Sequence, residues 1–151
     1  MLGTQFKAHP PIGPFRVEVT DKTHPLTQGL EDFDVIDELY APSYVVDYRP
    51  YSPVREGSDV VRDMVERAWA TFPDYHEEML AIVVEGDQAA VHLRITGTQH
   101  GAWGPLPATG RRVEFEEMIL LTFGADGRVV RQRGIADNLT ALNQLGDPSN
   151  T

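Results

Sequence analysis

The chain has 151 residues, 41% of them apolar, which suffices for one domain with a true core and is short for two. Without cysteine there are no disulfides, thiolate metal sites or cysteine nucleophiles, and a formal charge of -10, from 23 acidic against 13 basic residues, opposes nucleic acid and anionic membranes as partners. The opening MLGTQFKAHPPIGPF lacks the apolar core of a signal peptide and no run approaches about 18 apolar residues, so a cytoplasmic protein is expected.

Residues 1–28 hold four of the 11 prolines and read as an arm with one short strand at most, FRVEVT at 15–20. The segment 29–41, GLEDFDVIDELYA, spaces Leu30, Phe33, Ile36, Leu39 and Tyr40 as one face of a helix, which Pro42 should stop. SYVVDYRPYSPV then predicts a short strand and a loop broken by Pro50 and Pro53. Ser58 is a candidate N-cap for DVVRDMVERAWATF, whose Val61, Met64, Val65, Ala68, Trp69 and Phe72 share a face until Pro73. From there the period falls to two. Strands are predicted at 77–85, 88–99, 112–123 and 128–136, with EGDQ, a glycine-rich stretch and GADG between them. Asp137 can cap a last helix, NLTALNQL, which Gly146 ends.

Helices first and an antiparallel meander afterwards make an α+β domain rather than a parallel doubly wound sheet. FDVIDELYAPSYV, FPDY, VVEGDQAAV, GTQHGAWGPLPATGRRV, DGRVVRQ and D-x6-QLG resemble, in order and spacing, the SnoaL-like polyketide cyclase family. The resemblance covers Gly29 to Gly146. It implies a nuclear transport factor 2-like cone: a strongly bent antiparallel sheet wrapped around N-terminal helices with one deep apolar pocket. It also implies a homodimer formed through the outer sheet face. The domain is placed at 29–147, with the arm at 1–28 and a tail at 148–151.

Members of the family close rings in aromatic polyketides by acid/base chemistry, and relatives on the same cone isomerise ketosteroids or open epoxides. This chain departs from the pattern at three places. Gln99 stands where the family has the His of GTH-x-G, with His100 one place later. Val46 and Asp47 replace a His that often follows the first strand, and Gly134 occupies the position of the aromatic cyclases' catalytic Asp. The resemblance therefore implies a cofactor-independent acid/base cyclase or isomerase acting on a bulky apolar natural-product intermediate. An epoxide-opening enzyme and a noncatalytic binding domain are the alternatives.

In RVEFEEMILLTF one parity gives Phe115, Glu117, Ile119 and Leu121, the other Glu114, Glu116, Met118 and Leu120. If the first set lines the pocket, Glu117 is a lone carboxyl in an apolar wall, where desolvation raises its pKa and suits it to proton transfer; otherwise it pairs with an arginine or sits at the rim. His100 and Asp137 complete the candidate catalytic set, Asp137 with a capping role as its plainer meaning. Tyr44, Tyr48, Gln99, Trp69, Trp103, Phe115 and Ile119 are the candidate substrate contacts. Trp103 should lay an apolar plate near the pocket or the dimer seam, and Arg111 and Arg112 should meet carboxylates rather than phosphates. No metal or cofactor is implied, and the expected partners are a small apolar substrate and a second copy of the chain.

Overall fold

The computed structural model describes residues 16–17 and 33–146. Most of the 1–28 arm, residues 29–32 and the 148–151 tail lie outside them. In chain order the elements are β1 (Arg16–Val17), β2 (Phe33–Asp34), α1 (Val35–Leu39), β3 (Tyr40–Asp47), β4 (Arg55–Glu56) and α2 (Asp59–Thr71). They continue with β5 (His76–Glu85), β6 (Gln88–Thr98), β7 (Arg112–Phe123), β8 (Val129–Ala136) and α3 (Asn138–Leu145). Strands β1 and β2 form a two-stranded ribbon, and the other six form one sheet in the order β4-β3-β8-β7-β6-β5.

The four-strand meander forms as the alternation predicts, each hairpin placing successive strands side by side. The sheet is nevertheless mixed rather than wholly antiparallel, because β3 lies parallel to β8. That pairing needs a long crossover, and α2 with the meander supplies it. Register shifts interrupt β3 between Tyr40 and Val45, β5 between Met79 and Ala81, and the β7–β8 ladder between Thr122 and Phe123. Such bulges bend and twist a sheet, which is how this one curves over α2 and α3 into an α+β cone.

Within the described residues, from 33 onward, the expected 29–41 helix is corrected to a single turn, α1, and Tyr40 already belongs to β3. Pro42 does not stop the strand. It sits where the β3–β8 ladder skips from Tyr40 to Val45, so its missing N–H costs no pairing. Leu39, one of the apolar positions of the expected helix, ends α1 and is exposed. Ser58 is likewise not a side-chain cap: its backbone is already helical and its hydroxyl makes no capping bond. At α3 both end signals hold, with the Thr140 N–H donating to Asp137 and Gly146 closing the helix at a φ of 77°.

Burial along β7 follows the parity read from the sequence. Val113, Phe115 and Glu117 point inward and are buried, while Met118 and Leu120 face out. One core cluster joins Phe72, Ile95, Val113, Phe115 and Leu145 beneath α3. A second joins Tyr44, Val46 and Val129 beneath α2. Between them the interior is open.

Candidate active site

Two cavities, of about 310 Å³ and about 640 Å³, occupy that interior and meet along Tyr48, Met64, Ala68, Tyr75 and Glu117. The smaller runs past Tyr40, Tyr44, Val61, Leu93 and Ile119, and the larger past Phe72, Ile95, Trp103 and Phe115. Among the described residues, Glu117 is the one carboxyl common to both.

It is 8% exposed, carried inward by the alternation of β7 and opposite Leu93 on β6. The Tyr48 hydroxyl donates to Glu117 Oε1 at 2.5 Å, and the Gln132 amide nitrogen donates to the Tyr48 oxygen at 2.7 Å. The Tyr44 hydroxyl in turn donates to Gln132 Oε1 at 2.9 Å. These bonds run in one direction, Tyr44 to Gln132 to Tyr48 to Glu117, so each donor polarises the next and the chain ends on a carboxylate oxygen. Oε2 takes no hydrogen bond from the described residues and is the oxygen left for a ligand.

Burial pushes the Glu117 carboxyl above the usual range; the Tyr48 hydrogen bond pulls the other way, and the nearby charge of Glu77 adds to the rise. Burial also holds the Tyr48 phenol far above its ordinary value, with the Glu117 charge second. The site thus pairs a desolvated carboxyl with a phenol that keeps its proton. It can take a proton at Glu117 and donate hydrogen bonds from tyrosines.

The structure brings together Glu117, Tyr44, Tyr48 and Ile119 around the smaller cavity, and Trp103 and Phe115 in the larger one. Trp103 stacks on Phe115 at a centroid distance of 6.1 Å and meets Phe72 edge-on at 5.7 Å, forming the expected aromatic plate. Four candidates lie elsewhere. Gln99 is fully buried, but its amide staples the loop: Oε1 accepts from the Thr109 backbone N–H and hydroxyl, and Nε2 donates to the Pro107 carbonyl. His100 is turned out to solvent because its N–H and that of Gly101 both anchor on the Thr71 carbonyl at the end of α2. Asp137 is exposed and spends both carboxylate oxygens on Thr140, which lowers its pKa. Trp69, on α2, is half-buried and lines neither cavity. Arg112 does meet a carboxylate, Asp74, whereas Arg111 reaches the Gln144 carbonyl.

Sequence reasoning passed over Gln132, Tyr75 and Glu77. Gln132 was within reach, since it shares its parity with Gly134 and Ala136 between outward Arg131 and Arg133, a polar residue where an apolar one is the norm. No group of three His, Asp or Glu among the described residues could hold a metal ion. Nor is any described helix long and apolar enough to cross a membrane.

A family model for SnoaL-like polyketide cyclases matches residues 27–145. The chain belongs to the SnoaL-like polyketide cyclase family. Solved structures agree with this membership. A SnoaL-like protein from Jannaschia sp. CCS1 is 25% identical with a TM-score of 0.69, covering 76% of this chain and 78% of its own. TsrD from Streptomyces laurentii is 27% identical with a TM-score of 0.66, over 74% and 80% of the two chains. A SnoaL-like polyketide cyclase from Agrobacterium tumefaciens C58 is 26% identical with a TM-score of 0.61, over 74% and 85%. No curated protein sequence matches the chain. This SnoaL-like member has a glycine, Gly134, on the inner face of β8, and the carboxyl shared by its two cavities, Glu117, stands on β7.

Proposed function

We propose that this SnoaL-like protein is a cofactor-independent acid/base cyclase whose substrate is a bulky, largely apolar polycarbonyl compound of the polyketide type. The observation that carries the reading is Glu117, a buried carboxyl held by Tyr48 at the meeting point of two apolar-walled cavities. A desolvated carboxylate is a stronger base than one in water, and C–H bonds between two carbonyls are acidic enough for it.

In the proposed reaction Glu117 Oε2 takes a proton from carbon, and the resulting enolate attacks a second carbonyl of the same molecule. One C–C bond forms, one C–H bond breaks, and the new alkoxide oxygen takes up a proton. Tyr48 stays hydrogen-bonded to Oε1 throughout and fixes the orientation of the carboxylate. The aromatic walls around Trp103 and Phe115 hold the remainder of the substrate and keep water from competing.

The test is ring closure of an aryl 1,3-diketone bearing a pendant aldehyde, followed by chromatography of the cyclic product. The parent protein is expected to accelerate closure, and Glu117→Gln to lose on the order of a hundredfold in rate. A parent no faster than buffer, or an unimpaired variant, overturns the reading. Turnover of an alkyl-substituted epoxide in place of the diketone would move the assignment to epoxide opening.

A further inference from the structure

Glu117 has a counterpart two strands away on the same sheet. Tyr75 lies in the turn after α2, where its N–H donates to the Phe72 carbonyl, and it borders both cavities beside Glu117 and Tyr48. Its hydroxyl donates to Glu77 Oε1 at 2.6 Å. Glu77 stands on β5, an edge strand of the sheet, opposite Ile95, and combines a place in the cavity wall with exposure to solvent. The pocket therefore holds two tyrosine–glutamate pairs, one buried and one reaching water.

Their difference in exposure divides the labour. A ring closure moves one proton off carbon and puts one on oxygen, and a single carboxyl pointed at the carbon is poorly placed to do both. We propose that Tyr75 and Glu77 form a second proton-transfer pair, which delivers a proton to the oxygen that gains charge while Glu117 takes one from carbon. The proposal rests on the acid/base reading of this pocket. Tyr75 gives its proton to the substrate oxygen, and the phenolate left behind is reprotonated from solvent by way of Glu77. Glu117 later releases the proton it took, so the substrate neither gains nor loses hydrogen.

The electrostatics fit this division. Burial, then the charge of Glu77 and after it that of Glu117, hold the Tyr75 phenol above its ordinary value and so protonated, which makes it a hydrogen-bond donor that yields its proton only to a strongly basic oxygen such as an alkoxide. Tyr48 is its equal in chemistry but is hydrogen-bonded on both sides, to Glu117 and to Gln132. Tyr75 has one partner among the described residues, and its oxygen is open to a ligand.

A series of ring-substituted benzisoxazoles tests this without the natural substrate. A base removes the C–H proton, the electron pair forms a nitrile as the N–O bond breaks, and the oxygen leaves as a phenolate whose basicity the substituent sets. Loss of the rate in Glu117→Gln ties the reaction to the proposed base. With a proton donor on the leaving oxygen, the rate depends shallowly on leaving-group pKa. Tyr75→Phe should steepen that dependence and slow the most basic leaving group about tenfold. Glu77→Gln, exposed on an edge strand and so safe for folding, should steepen it as well. If the slopes of both variants match the parent's, the second pair is overturned and Glu117 stands. If the parent shows no rate that depends on Glu117, the acid/base reading itself falls and takes the pair with it.

Discussion

A β-carbon on Gly134 would collide with Cε1 and Cζ of Tyr48 and stand 2.7 Å from its phenol oxygen. The ring of Tyr48, on the segment after β3, lies directly over the bare backbone of β8, and from there its hydroxyl reaches Glu117 on β7. The sequence resemblance places a catalytic Asp at position 134 in aromatic polyketide cyclases. Here the space for that side chain is filled by a phenol, and the inward carboxyl comes from the neighbouring strand.

Gly134→Ala is therefore expected to push Tyr48 off Glu117. Overpacking of this kind costs about 1–3 kcal/mol, read as a lower urea midpoint at unchanged slope. Because the two side chains compete for one volume, Gly134→Ala combined with Tyr48→Ala should cost less than the sum of the single changes. Strict additivity would mean that the ring moves aside freely.

The Glu117 carboxyl also leaves a signature on stability. Its folded pKa is raised, so the native state keeps a proton that the unfolded chain releases above the ordinary glutamate value of about 4.3. Stability from this group is greatest below that value and falls as pH rises through the folded pKa. Gln cannot titrate, and its carbonyl still accepts from Tyr48. Glu117→Gln should then melt progressively higher relative to the parent between the ordinary glutamate pKa and the raised one. A constant difference across calorimetric scans from pH 4 to 8 would show that the carboxyl is not shifted.

Gln99 should behave as a structural residue. With three hydrogen bonds to Pro107 and Thr109 in a buried setting, Gln99→Leu would leave a backbone N–H and a carbonyl unpaired at a cost of about 1–3 kcal/mol. Thermal unfolding measures this. A neutral Leu variant would mean that water enters the loop and replaces the amide.

How much of this was readable beforehand follows from how local each signal is. The period-two runs gave four strands within a residue or two, and the parity of β7 placed Glu117, because alternation is imposed by the strand itself. The histidine and glutamine of the glycine-rich loop could not be placed, since their directions depend on the Thr71 carbonyl and on Thr109, contacts made only after folding. The first helix failed for a related reason. Apolar spacing fits a helix and a bulged strand alike over a few residues, and pairing with β8 decided for the strand from Tyr40. Tyr75 carries no periodic signal at all: its position is set by the turn between α2 and β5.

The outer face of the sheet gives the last expectation, that of a homodimer. Two cross-strand rows run over it, Ala81–His92–Met118–Ile135 and Val83–Ala90–Leu120. Of these, Val83 is 68% exposed and Ile135 61%, with Met118 at 49% and Leu120 at 40%, a concentration of large apolar side chains that a soluble monomer seldom leaves open. A charged row, Glu78–Arg94–Glu116, flanks them with Arg94 ion-paired to Glu78, as at the polar rim of an interface. A two-fold axis through this face would set each patch on its copy without using the pocket, which opens on the opposite side of β7. Light scattering at micromolar concentration should give twice the 16.8 kDa of one chain. Ile135→Lys and Met118→Lys, directly opposite each other on β8 and β7, should shift the mass to one chain while the far-ultraviolet spectrum stays unchanged. A monomeric parent would remove the interface, and dimeric lysine variants would place it on another surface.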